Sequence, residues 1–323
     1  MCPETNANRF RIEGRAPFHP RHAAPGGVCA AASIAVTLAL SACLHAAQSN
    51  DPPAFDSARA FEHLRQIVAI GPRPAGSQGA ELTRLYITQQ LAIMGLAAEE
   101  QTFVAQTPLG TPRMTNLRVT IPGPGPGRLI IGGHYDTKLF REFTFVGAND
   151  GGSSTAFLLE LARLLKGRAN AMPIELLFLD GEESTGDWTG NDHTYGSRHY
   201  VDTARKDGTL KDIRAFILVD MIGDRDLVIK RESRSTPWLT DIIWAAAKQL
   251  KRAEFSDDST PIDDDHIPFL EAGVPAVNVI DLDYPDWHTP GDTVDKVSAR
   301  SLAVVGEVLL AALPEIEKRL KQD

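Results

Sequence analysis

The sequence predicts an α/β fold: one domain with a mixed sheet and helices on both faces. Three observations carry this. Apolar runs of strand length alternate with segments whose apolar residues recur at helical spacing. The run at 174–179 is near-continuously apolar, as expected of a strand buried on both faces. Several such runs end abruptly in His, Asp or Glu, the pattern of a ligand site beyond the carboxyl ends of parallel strands.

Helical spacing places helices over 58–69 and 81–94, the second stopped by Gly95. Strands follow at 100–104, 115–121 and 128–132, and the Pro-Gly repeat at 122–127 reads as a turn between the last two. A helix follows Asp150-Gly151-Gly152 to about Lys166, and the strand at 174–179 comes next. Further strands are expected at 215–219, 227–230 and 276–280, with helices near 195–206, 237–250 and 298–318. No internal repeat interrupts this order.

Residues 1–43 stand apart from the rest of the 323-residue chain. Arg9, Arg11, Arg15 and Arg21 precede an uncharged run of small and apolar residues from Val28 to Ala42, which reads as an export signal. The run is shorter than the roughly 20 residues of a membrane span. It ends in Leu40-Ser41-Ala42-Cys43, which looks like a bacterial lipobox, so lipidation of Cys43 and a periplasmic or membrane-anchored protein are expected. Cleavage after Ala46 is the alternative. Residues 44–54 then form a linker, and 55–323 a single catalytic domain. The remaining cysteines are Cys2 and Cys29, so the exported domain holds no disulfide and depends on its core for stability. Without residues 1–43, 29 basic residues face 40 acidic ones, which argues against nucleic acid as a partner.

Five potential metal ligands follow in order: His134, Asp150, Glu183, Asp220 and His288. Imidazole and carboxylate together suit a divalent ion of the zinc type. Glu182 directly precedes one of them, where an unligated carboxylate can move protons. Any one of these residues could be a solvated loop residue, and Asp150 a helix N-cap. Five coincidences at strand ends are improbable.

The spacing and the segment GANDGGSSTA (147–156) resemble the zinc aminopeptidases with co-catalytic metals. That resemblance implies a three-layer α/β/α sandwich with a mixed, mostly parallel central sheet. It also implies two ions, one on His134, Asp150 and Asp220 and the other on Asp150, Glu183 and His288. Between the ligands the chain is similar to the animal-type glutaminyl cyclases, which share the fold. The matching segments are TFVAQTPLGTPRMTN (102–116), GHYDTK (133–138), FLDGEE (178–183), YGSRHY (195–200), DDHIPFLEAGVP (264–275) and YPDWHT (284–289).

This second resemblance covers residue 55 to the C-terminus. It implies a peptide or protein substrate with N-terminal glutamine and a single zinc on Asp150, Glu183 and His288. It further implies Glu182 as acid/base, Asp220 and Asp264 as carboxylates beside it, and Trp188 and Trp287 as pocket walls. The chain departs from the cyclases in GANDGG around Asp150, in Asp263 before Asp264, and in Gly133 where half of a disulfide would lie.

Overall fold

A computed structural model describes residues 54–322. The expected export signal with Cys43, and the linker up to residue 53, lie outside the described residues. No helix among the described residues is long and apolar enough to cross a membrane.

Helices α1 (Ser57–Ile70) and α2 (Gln78–Ile93) come first, and each is started by a side chain. Asp56 accepts the N–H of Arg59 and Ser77 that of Ala80, each satisfying a donor the helix leaves unpaired. Strands β1 (Glu99–Val104), β2 (Arg113–Ile121) and β3 (Arg128–His134) follow, then α3 (Gly152–Gly167), β4 (Ile174–Leu179), α4 (Tyr195–Lys206) and β5 (Ile213–Asp220). The C-terminal part adds β6 (Ile229–Glu232), α5 (Pro237–Gln249), β7 (Phe255–Thr260), α6 (His266–Glu271), β8 (Ala276–Ile280) and α7 (Ala299–Leu320).

The main sheet has six strands in the order β1-β2-β4-β3-β5-β8. Strands β4, β3, β5 and β8 are parallel, and β2 joins antiparallel at β4. The Pro-Gly turn therefore links β2 to β3 without pairing them, because β4 lies between. Strands β6 and β7 form a separate parallel pair. Sequence periodicity does not anticipate β7 or α6. Strand β7 carries Ser256, Asp257, Asp258 and Ser259 with little apolar content, and α6 spans six residues, too short for a periodic signal.

Two-residue alternation divides the central strands between two cores. Ile130, Leu177, Leu179, Phe216 and Leu218 meet Tyr200 and Val201 of α4 and Phe269 of α6. Leu129, Ile131, Leu176, Phe178, Ile217 and Val219 meet Phe157 and Leu161 of α3 and Val305 and Leu309 of α7. The result is a three-layer sandwich, and it explains why the strand at 174–179 has no polar face. Each such side chain contributes roughly 1.5–3 kcal/mol on burial. The one charge in that strand, Glu175, is buried but neutralised by Arg118 at 3.0 Å and Arg128 at 3.1 Å.

Candidate metal centre

The parallel strands all end on one edge of the sheet. His134 closes β3, Asp220 closes β5, and Glu182 and Glu183 follow β4. Strands β3 and β5 are neighbours whose onward connections run in opposite directions, to β4 and to β8. This is the switch point at which α/β sheets bind ligands.

Local packing fixes the first ligand candidate. Ser154 and Thr155, in the first turn of α3, donate their hydroxyls to the carbonyl of His134 at 2.9 and 3.1 Å. This approach requires glycine at 133: a Cβ there would lie 2.6 Å from both the Cβ of Ser154 and the carbonyl of Val219. The same crowding leaves no room for a cysteine.

Two triads share Asp150. His134 Nε2 lies 3.0 Å from Asp220 Oδ1 and 3.2 Å from Asp150 Oδ1. His288 Nε2 lies 3.1 Å from Glu183 Oε1 and 3.3 Å from Asp150 Oδ2. Asp150 is not a helix cap, since Gly151 occupies the N-cap of α3 without a side-chain bond. Asp150 Oδ2 and Glu183 Oε2 are buried and have no hydrogen-bond partner among the described residues. Converging acceptor-only oxygens beside two imidazoles fit a divalent cation of the zinc type.

The clustered groups shift one another's charge. Burial raises Asp150, but His134 and His288 outweigh it and hold the carboxyl well below its usual range. Burial, then Asp150, pushes Glu183 up to about 7. Burial lowers His288, yet Asp150 and Glu183 raise it to about 10. Glu182, only 6% exposed, belongs to neither triad. Burial raises its pKa well above the ordinary value; Glu183, Asp264 and Asp265 add to this, and His134 opposes it. Asp264 is raised by burial first, then by Asp220 and Asp265.

Every candidate site residue drawn from the sequence, apart from His134, lines one cavity of about 240 Å³: Asp150, Glu182, Glu183, Trp188, Asp220, Asp264, Trp287 and His288. His134 lies buried beside it, against Asp150 and Asp220. Trp287 stacks on His288 with ring centroids 4.4 Å apart, and Trp188 stacks on His193 at 4.3 Å. The backbone of His288 is left-handed, φ 54°, and so is that of Met221 after Asp220, φ 44°. Such conformations cost about 1–3 kcal/mol and cluster where the surrounding structure dictates a side chain's aim.

Several supporting residues escaped sequence reasoning. Asp136 accepts the N–H groups of Glu182 and Glu183 at 3.1 and 3.3 Å, orienting both carboxylates. Asp292 does the same for Asn149 and Asp150 at 2.8 and 3.1 Å. The buried guanidinium of Arg73 donates to the carbonyls of Tyr135, Val146 and Gly147, bracing the loop before Asp150. Asn278 donates to Asp264 Oδ2 at 2.7 Å. Asp136 lies in the segment GHYDTK (133–138), two residues after His134; the others carry no local signature.

An α/β/α sandwich with a His/Asp/Glu cluster at the switch point defines a metal-dependent exopeptidase scaffold. The sequence profile of peptidase family M28 matches residues 116–313. A glutaminyl-peptide cyclotransferase-like protein of Mus musculus is 30% identical over 284 residues, covering 78% of this chain and 73% of that protein. An Acidobacteriales bacterium glutaminyl cyclase superposes with a TM-score of 0.80 at 39% identity, over 84% of this chain and 98% of that one. A leucine aminopeptidase precursor from Bacteroides thetaiotaomicron superposes with a TM-score of 0.75 at 25% identity, over 81% and 98%. The chain belongs to peptidase family M28 and, within it, to the glutaminyl-peptide cyclotransferases.

Proposed function

We infer that this protein converts the N-terminal glutamine of peptides or proteins to pyroglutamate, releasing ammonia, and that it does so as a zinc enzyme. The observation that carries the reading is convergence. Trp188, Trp287 and Asp264, the residues that resemble the cyclases rather than the peptidases, line the same cavity as Glu182 and the Asp150–Glu183–His288 triad.

In this reading Asp150, Glu183 and His288 would hold one zinc, which would supply Lewis acidity to the γ-amide carbonyl of the substrate. The α-amine and the amide belong to one residue, so bringing them together costs little entropy. Glu182 accepts a proton from the α-nitrogen as that nitrogen bonds to the amide carbon. It returns the proton to the departing nitrogen, which leaves as ammonia when the C–N bond breaks. Its raised pKa suits this exchange. Asp264, with Glu183 and Asp265, supplies like charge that sustains the shift, Asp220 acts on Asp264 in turn, and the two indoles flank the glutamine side chain.

The alternative is a zinc aminopeptidase with two co-catalytic ions. The specific observation favouring it is that the two oxygens of Asp150 face different triads, one including His134 and Asp220. One experiment separates the two: incubate a Gln-initiated peptide with the protein, measure ammonia and pyroglutamate, and determine zinc in the same sample. Ammonia with one zinc per chain supports cyclisation. Release of the free N-terminal residue with two supports the peptidase.

The basic flank and lipobox further support export, with Cys43 as the lipid-bearing residue of a bacterial lipoprotein. Cys43→Ser should leave the membrane fraction. Unchanged partition and no lipid on the mature N-terminus refute the anchor.

A further inference from the structure

A second cleft, about 400 Å³, meets the catalytic cavity at Glu183, which lines both. We propose that this cleft, walled by Pro74, Thr107, Leu109, Thr137, Leu139 and Ser184, binds the one or two residues that follow the N-terminal glutamine and selects uncharged apolar side chains there.

The inference rests on the cyclisation reading and extends it to substrate choice. At about 240 Å³ the catalytic cavity is smaller than the roughly 300–1,000 Å³ of a typical ligand pocket, so it houses one residue and not a peptide. The chain beyond that residue must leave it, and the adjoining cleft begins at a shared wall. Each further residue advances the chain by about 3.3–3.6 Å when extended, so the residues directly after the glutamine are the ones within reach of the adjoining cleft.

Its surface is mainly apolar and hydroxyl-bearing. Two carboxylates lie in the wall: Asp136, whose oxygens accept the N–H groups of Glu182 and Glu183, and Glu183, which the zinc would take up in the cyclisation reading. The remaining polar groups are mainly hydroxyls, and Leu109 and Leu139 present apolar surface while 52% and 48% exposed.

Both leucines stand on braced backbone. Leu109 sits in a turn closed by Thr107 N–H to Gly110 carbonyl at 2.9 Å and by the reciprocal bond at 3.1 Å. Thr107 Oγ1 also accepts the N–H of Leu109. Leu139 follows Lys138, whose ammonium donates to the carbonyls of Ser184 at 3.0 Å and Gly186 at 3.3 Å. Rigid apolar groups bind without the cost of ordering them first.

The test compares ammonia release from glutaminamide, Gln-Leu-Leu-amide and Gln-Ser-Ser-amide by the wild type and by the Leu109→Ser/Leu139→Ser variant. Both side chains are about half exposed, so the core survives their replacement, which a thermal melt verifies. The wild type should favour the leucine peptide over the serine peptide about fivefold or more in kcat/KM, carried by KM, as expected for burying apolar side chains. In the variant that ratio should fall towards one.

A wild type with no preference, or a variant that keeps it, overturns the inference while leaving cyclisation intact. A variant impaired equally on all three substrates also overturns it. No ammonia from any of the three brings down the cyclisation reading, and this one with it.

Discussion

The carboxylate of Asp292 accepts the backbone N–H of Asp150 at 3.1 Å and that of Asn149 at 2.8 Å, across more than 140 positions of sequence. Tyr284 donates its hydroxyl to the same carboxylate at 2.8 Å. Asp150, the residue common to both triads, is thus aimed by a group that is not itself a ligand candidate. Partners of this kind typically account for a 10–100-fold effect on metal affinity. Asp292→Ala should therefore lose zinc to a chelator at about 10-fold lower concentration than the wild type, with the fold retained by circular dichroism. Equal retention would mean that Asp150 is aimed by other contacts.

Zinc stoichiometry separates the two triads. If Asp150, Glu183 and His288 form the working site, the active protein holds one zinc per chain, and His134→Gln keeps it. Elemental analysis of both proteins decides this. Two ions per active chain, with activity following the second, would assign His134 and Asp220 as ligands.

Glu182 and Glu183 are adjacent but should fail in different ways. Glu182→Gln keeps its shape and its zinc yet loses on the order of 100-fold in turnover, the scale of general acid–base assistance. If Glu183 is a ligand, Glu183→Gln removes a charge that the metal would need and should lose zinc. Zinc content and pyroglutamate formation, measured side by side, test the division. A Glu182→Gln variant near the wild-type rate, or one that sheds zinc as readily as Glu183→Gln, would end it.

Acid should destabilise the protein partly through His63. Burial first, then Arg59, lowers its pKa from 6.5 to about 4, and its Nδ1 lies 2.7 Å from the Tyr86 hydroxyl. Because the folded pKa lies below the unfolded one, the unfolded chain takes up the proton first. Stability is therefore lost as pH falls from about 6.5 to about 4. His63→Gln can keep a bond to Tyr86 without titrating, so denaturant melts should show a smaller loss across that window. An identical loss would assign the acid sensitivity elsewhere.

Gly133→Ala should destabilise more than an ordinary surface change, by about 1–3 kcal/mol, since the new Cβ meets Val219 backbone 2.6 Å away. An unchanged melting temperature would show that α3 can retreat from β3.

The strands at 128–132 and 174–179 were legible because burial on both faces leaves a continuous apolar run, and both proved central to the sheet. The ligand candidates were legible because charge breaks those runs at their carboxyl ends. Strand β7 and helix α6 were not, since one is polar and exposed and the other too short for a period. The supports Arg73 and Asn278 were hidden for another reason: a buried polar side chain is recognisable only by the partner it meets.

By itself the sequence determined the alternation of helices and strands and the identity and order of the candidate ligands, because apolar period and chain-end charge are local properties. Tertiary structure alone decided that β4 intervenes between β2 and β3, that Asp150 turns one oxygen to each triad, and that Asp292 and Arg73 brace the loop before it. Those relationships join residues far apart in the chain, and they follow from strand order and close packing, which no local pattern encodes.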